Sequence, residues 1–411
     1  MAEKVIVLKG RVIDGNGGPV IEKGVVAVEG NKITAVANAH EYPIPEGAEV
    51  IEIEDGTIMP GFIEQHTHIG MCTANFVELY LRHPFHSVCM AIDDLKKIRD
   101  SGFTTIRELG GFTNYLKEAQ VTGLIDTPRI CSAGRIITQT GGHGDYIKKF
   151  PVEYNLYRNI YAVVADGVPE VRKQTRLNLR EGSDFIKIMT SAGVTSQSAT
   201  TDTQEFADEE IRAIVEEAEK FGTYVASHCI SNKGIRAAVR CGVKSLEHAM
   251  FLDEETVEEI AKAGAWIVPT FAIAHRYMTN LDKVQPWTAK KIQLAYDQHY
   301  KSFELARKAG IKLGFGCDFV GDYAICPNGP NGMEFERLVA AGMTNMEAIC
   351  AATKVGSEIV MRPDEIGTLE VGKLADIVVA KGDPLKDITV CSKTENIKVV
   401  MQDGVIKKHI N

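Results

Sequence analysis

His66 and His68 close a short β-rich run, Gly61–His68, and a strand would point both imidazoles to one face because its side chains alternate. Imidazole is a common ligand for divalent metal ions, so the pair is a candidate half of a metal site. Later in the chain, Lys187 falls five residues after Gly182, His228 six after Gly222, His248 six after Gly242, and Asp318 eight after Gly310. Histidine and oxygen donors with positions left open suit a catalytic metal site and would not suit a closed structural one.

Each of these residues has a plain reading by itself. A histidine at a strand end is ordinarily a hydrogen-bonded core or surface group, and an aspartate after a strand commonly caps a helix. Lys187 is odder, because Phe185-Ile186-Lys187-Ile188-Met189 would bury an ammonium among apolar neighbours unless a carboxylate pairs with it. Coincidence does not place five such residues at equivalent points of one repeating unit.

That unit is an amphipathic helix, a glycine stop and a β-rich run. The stops are Gly102, Gly182, Gly222, Gly242, Gly264 and Gly310. The runs after them are 103–108, 184–189, 223–228, 243–248, 265–270 and 311–316; with 61–68 and 128–136 they make eight expected strands. Glycine accepts the left-handed conformation that ends a helix, and β-branched runs suit buried parallel strands. The expected fold is therefore α/β, a (β/α)8 TIM barrel over residues 61–360 with its catalytic groups at the C-terminal rim. The rival doubly wound sheet would show a GxGxxG turn after its first strand, and the sequence has none there. Residues 1–60 and 361–411 instead alternate polar and apolar, with turn signals at Asp14–Gly18, Glu29-Gly30 and Glu54–Gly56. Neither end closes a core alone, so the two are expected to form one composite β-sandwich domain into which the barrel is inserted.

The 411 residues carry 46 Lys plus Arg against 55 Asp plus Glu, a formal net charge of −9, which excludes the basic field that nucleic-acid binding requires. Hydrophobic residues at 45% and charged residues at 25% are the balance of a globular protein. The nine cysteines show no CxxC pair, and the first ten residues hold no apolar stretch longer than Val5–Leu8. Free thiols and a cytoplasmic location without membrane association are the expectation. No heptad or repeat array specifies assembly, which leaves a homo-oligomer open.

The motif Pro60-Gly-Phe-Ile-Glu-Gln-His-Thr-His68 resembles the first-strand signature of the amidohydrolase superfamily of metal-dependent hydrolases. The likeness extends to Lys187, the two later histidines, Cys317-Asp318 and the tail Gly367-Thr-Leu-Glu-Val-Gly-Lys-Leu-Ala-Asp-Ile-Val378. Gln139-Thr-Gly-Gly-His143 and Phe185-Ile-Lys-Ile-Met-Thr-Ser-Ala-Gly193 resemble its imidazolonepropionase-like branch, which includes Xaa-Pro and Xaa-Arg/Lys dipeptidases.

The resemblance implies two divalent metal ions, most often zinc. His66, His68 and Asp318 would hold one, His228 and His248 the other, and Lys187, carboxylated by carbon dioxide on its ε-amine, would bridge them. It implies hydrolysis of a small-molecule amide, a dipeptide or N-acyl amino acid, by a metal-bridging hydroxide. Asp318 would then serve as base and acid, while His143, on a glycine-hinged loop, stabilises the oxyanion. Tyr146, Lys148, Arg158 and Ile230 are candidate substrate contacts, with Lys149, Tyr154 and Tyr157 on the same long loop as the first three. His228 is followed by Cys229 and Ile230, and Asp318 by Phe319-Val-Gly-Asp322, departures from the branch's dipeptidases that leave side-chain preference open. Cyclic-amide opening uses nearly the same chemistry. A mononuclear zinc deaminase would need a glutamate near His228, which His228–Asn232 lacks, and a non-catalytic scaffold would lack ligands, whereas all six positions are filled.

Overall fold

The computed structural model describes residues 5–73, 75–146, 148, 160–197 and 200–410. From the N-terminus, β1 (Val5–Val12), β2 (Ile21–Glu29), β3 (Lys32–Asn38) and β4 (Glu49–Pro60) lead into β5 (Phe62–Thr67), β6 (Phe103–Glu108) and β7 (Arg129–Ser132). Next come β8 (Ile136–Thr138), β9 (Ala162–Val164), β10 (Ile186–Met189), β11 (Val225–Cys229), β12 (Ser245–His248) and β13 (Trp266–Val268). The chain ends in β14 (Ile377–Lys381), β15 (Ile397–Gln402) and β16 (Val405–His409).

The two ends meet in one seven-stranded sheet, in the order β16-β15-β14-β4-β1-β2-β3. The cause is the length of β4. Its Glu49–Glu52 and Thr57–Ile58 run parallel to β1, while Gly56–Pro60 pair antiparallel with β14, so one strand joins both halves. The sheet curls until the β2–β3 turn meets the C-terminal strands: Asn31 O accepts from Ala375 N–H at 2.9 Å, and Gly404 N–H donates to Ala375 O at 3.1 Å. Leu8, Val26, Ile33, Ile58, Ile377 and Val399 share the apolar cluster this creates.

The remaining strands form parallel sheets, β5-β6-β7 and β13-β12-β11-β10-β8-β9. All six glycine stops adopt φ between 62° and 102°, the left-handed conformation that turns each helix into the next strand. Two expectations differ. The single strand 128–136 is split into β7 and β8 at Ala133-Gly134-Arg135, where Gly134 has φ +64° and a Cβ would lie 2.4 Å from Ser183 Oγ. The run 311–316 is not a regular strand; isolated bridges join Leu313 to Ile267 and Phe319 to Thr67. Among the described residues no helix is long and apolar enough to cross a membrane. All nine cysteines are free.

One buried acid tests the packing beneath the first sheet. Burial pushes the Glu108 carboxyl up to about 8, and hydrogen bonds from Thr113 Oγ1 at 2.8 Å and Ser132 Oγ at 2.9 Å offset this only in part. Raised in the fold, the group favours folding fully below its ordinary value of 4.5, and that contribution is lost as pH rises through about 8. Urea unfolding should therefore show stability falling between those values by up to ~1.4 kcal/mol per pH unit from this group, and Glu108→Gln should remove that slope. Parallel pH profiles for the two proteins would contradict the assignment.

Candidate active site

The metal-capable residues converge because parallel strands end together. His66 lies on β5 and His68 just beyond it, Lys187 on β10, His228 on β11 and His248 on β12. In register, Met189 lies opposite His228 and Cys229 opposite His248. Asp318 is drawn beside β5 by its N–H, which donates to His66 O at 2.7 Å. All six side chains line one cavity of about 70 Å³, together with His143, Tyr146 and Ile230.

The donor atoms of His66, His248 and Asp318 lie within 4.8 Å of one another. Asp318 Oδ1 is 3.3 Å from Nε2 of both His66 and His68. The His228 ring lies 4.6 Å from that of His248, outside this tightest group, and its buried Nε2 has no hydrogen-bond partner among the described residues. Burial, reinforced by His143 and His248, holds His228 well below the usual imidazole range, so a neutral ring faces the cavity. Burial alone would raise Asp318, but His66, His68 and His248 hold it well below the carboxylate range. An orphaned imidazole nitrogen beside an ionised carboxylate and three more histidines is a donor set that fits divalent metal ions. His248 (φ 74°), Asp318 (φ 57°) and Thr270 (φ 58°) all sit in the left-handed region, a backbone cost tolerated where it aims functional groups. Thr270 Oγ1 is 2.7 Å from His248 Nδ1.

Beneath these residues lies a charged pair that the sequence reading missed. Glu247 Oε2 is 2.7 Å from His66 Nδ1, and its other oxygen accepts from Arg107 and from Ser245 Oγ, the latter at 2.6 Å. Arg107, fully buried, also donates from Nε to Gln65 O at 2.7 Å. A carboxylate on Nδ1 leaves Nε2 of His66 free to act as a ligand, the usual support for a metal-binding histidine. Lys187 is 1% exposed, and burial lowers its ammonium to about 8 against the pull of Glu247 and Asp318.

His143 does not hang on a free hinge. Its N–H donates to Glu205 Oε2 at 2.8 Å, Gly141 N–H donates to Asp145 Oδ2 at 3.0 Å, and Lys148 Nζ donates to Gly141 O at 2.6 Å. Gly142 serves close packing here: a Cβ on it would lie 2.5 Å from Thr138 Oγ1 and 2.8 Å from Glu205 Oε2. Burial, with Lys148 and Lys187 nearby, lowers His143 to about 3, and its ring stacks on His228 with centroids 4.1 Å apart. His143, Tyr146, Thr195 and Tyr277 also line an outer chamber of about 570 Å³ that holds Lys148, Lys283 and Trp287. Ile230 belongs to the inner cavity alone and Lys148 to the outer one, whereas Lys149, Tyr154, Tyr157 and Arg158 lie outside the described residues.

Residues 57–407 match the model of the Amidohydrolase family. The Aspergillus niger ochratoxinase is 29% identical over 441 aligned positions, covering 99% of this chain and 87% of that protein. A prolidase crystallised with N-methylphosphonate-L-proline superposes with a TM-score of 0.91 at 32% identity, covering 99% of this chain and all of the other. A Xaa-Pro dipeptidase with methionine in its active site gives 0.89 at 28% identity, over 98% of this chain and 100% of that one. With the first-strand His-x-His, the later histidines and Asp318 gathered at one cavity, the chain belongs to the amidohydrolase family, in its imidazolonepropionase-like and Xaa-Pro dipeptidase-like branch.

Proposed function

We propose that this protein is a binuclear metal-dependent hydrolase that cleaves the amide bond of dipeptides or N-acyl amino acids. The observation that carries the reading is the single cavity lined by His66, His68, Lys187, His228, His248 and Asp318, with His228 Nε2 lacking a hydrogen-bond partner among the described residues. In this reading His66, His68, His228, His248, Asp318 and a carboxylated Lys187 would hold two divalent cations. Bound zinc ions would supply Lewis acidity toward the amide carbonyl and lower the pKa of the attacking water.

The chain's own groups do the rest. Asp318 takes the proton of the attacking water and returns it to the departing amine. His143 donates a hydrogen bond to the carbonyl oxygen as negative charge grows there. Burial favours the neutral amine of Lys187, the form that can add to carbon dioxide with loss of a proton. The inner cavity, walled by Met71, Met189, Val194, Ile230, Met250 and Ile273, excludes water around the scissile bond. The outer chamber, with Tyr146, Tyr277, Trp287 and Lys148, is wide enough for an amino-acid side chain and offers a cation to its carboxylate.

We also infer that the parallel strands close into a (β/α)8 barrel over residues 61–360, with 1–60 and 361–411 as a composite β-domain. Supporting this are Asp184 N–H to Ser132 O at 2.8 Å, which joins the residues just before β10 to the end of β7, and the segment 312–319, which bonds Ile267 on one side and Gln65, His66 and His68 on the other.

Metal analysis should give close to two ions per chain, and Lys187→Ala should lose at least one. A panel of Xaa-amino-acid dipeptides, N-acyl amino acids, cyclic amides and aminated heterocycles separates peptide cleavage from ring opening and ammonia release. A protein that takes up no divalent metal, or one that acts only on the heterocycles, would overturn the proposal.

A further inference from the structure

The proposed role of His143 requires a hydrogen on the ring nitrogen that meets substrate, and a neutral imidazole carries only one N–H. Which nitrogen has it is settled by the group that meets the other. His143 Nδ1 lies 2.7 Å from Ser196 Oγ, and that oxygen already accepts the Gly193 N–H at 3.1 Å. A serine hydroxyl has a single hydrogen to give. Among the described residues the acceptor within reach of it is His143 Nδ1. A hydroxyl that donates to Nδ1 keeps the ring hydrogen on Nε2.

The surroundings allow the ring little freedom to escape this arrangement. A Cβ on Gly193 would stand 2.3 Å from Cε1 and 2.7 Å from Nε2 of His143, so only glycine there admits the imidazole at this depth. His228 stacks on the ring, and Glu205 holds the backbone N–H of His143. Ser196 is itself fixed: it is 6% exposed, Lys291 Nζ donates to its carbonyl at 2.7 Å, and Trp287 Nε1 donates to Thr195 O at 3.1 Å. Both donors come from the helix Pro286–Lys308, so the loop carrying Ser196 is tied to a rigid element.

We propose that Ser196 is a positioning residue that locks His143 in the Nε2–H tautomer and so makes the ring an oxyanion donor. The inference rests on the hydrolytic reading for its consequence, but not for its measurement. Nitrogen-15 shifts of histidine-labelled enzyme, as purified with its metal and with the His143 signal assigned by His143→Ala, report the tautomer without turnover. The wild-type ring should show Nε2–H, and Ser196→Ala should move it toward Nδ1–H. With a cleaved substrate, Ser196→Ala should lower kcat at least ~10-fold with KM changed less than about threefold, since the lost interaction belongs to the transition state. Ser196→Thr, which keeps the hydroxyl, should recover most of the loss. An Nδ1–H ring in the wild type, or a tautomer and kcat indifferent to Ser196→Ala, would overturn the proposal. If no amide were cleaved at all, the hydrolytic reading would fail while the shifts still decided the tautomer.

Discussion

Asp318→Asn is expected to lower kcat at least ~10³-fold while leaving the protein folded, because an amide of equal size cannot take up a proton at this site. The carboxylate lies between Nε2 of His66 and Nε2 of His68, and its backbone N–H is tied to His66 O. Among the described residues the other acids near the centre are committed elsewhere. Glu247 is held by Arg107, Ser245 and His66, and Glu205 by the His143 backbone. Single-turnover kinetics with metal content measured on the same sample would separate a lost proton carrier from a lost ligand. A variant that kept its metal and turned over within tenfold of the parent would show that another group moves the proton.

The second large effect belongs to Glu247→Gln, which touches neither substrate nor solvent. Glutamine keeps the shape and can accept from Arg107, but it removes the only carboxylate hydrogen-bonded to that fully buried guanidinium among the described residues. Breaking one partner of a buried ion pair typically costs about 3–5 kcal/mol, because the remaining charge stays desolvated. It also frees Nδ1 of His66 from an anionic partner, and loss of such support commonly weakens metal binding by about 10–100-fold. Urea unfolding of the metal-free protein would report the first loss and chelator competition the second. In a cycle with Arg107→Met, the double variant should be less destabilised than the sum of the singles. A single-variant cost below about 1 kcal/mol would show that the pair is dispensable, the usual range for an exposed bridge.

The positions of the site were legible because they obey strand and helix periodicity. Gly182, Gly222, Gly242 and Gly310 marked where each helix stops, and the count from each stop gave the height of Lys187, His228, His248 and Asp318. Glu247 was missed because alternation sends it and His248 to opposite faces of β12; the left-handed backbone at His248 re-aims that imidazole, so both reach the same centre. A signal existed: Arg107 and Glu247 are opposite charges within β-rich runs expected to be buried, and buried charges need partners. Ser196 and Glu205 could not be found that way, since their contacts with His143 depend on how two loops fold together. The split at Gly134 and the short strand β9 were likewise hidden, because each is set by contacts distant in the chain.

The course of β4 bears on how this chain must be made. It runs almost directly into β5, where Ile58 and Pro60 pair with Val379 and Ile377, and Gly61 N–H donates to Asp376 O at 2.9 Å. During synthesis every strand from β5 to β13 leaves the ribosome before β14 exists. Until β14 emerges the nascent protein thus carries an unpaired apolar edge, a template for self-association. Docking of Gly56–Pro60, the segment that leads into the first catalytic strand, therefore waits until β14 has been made.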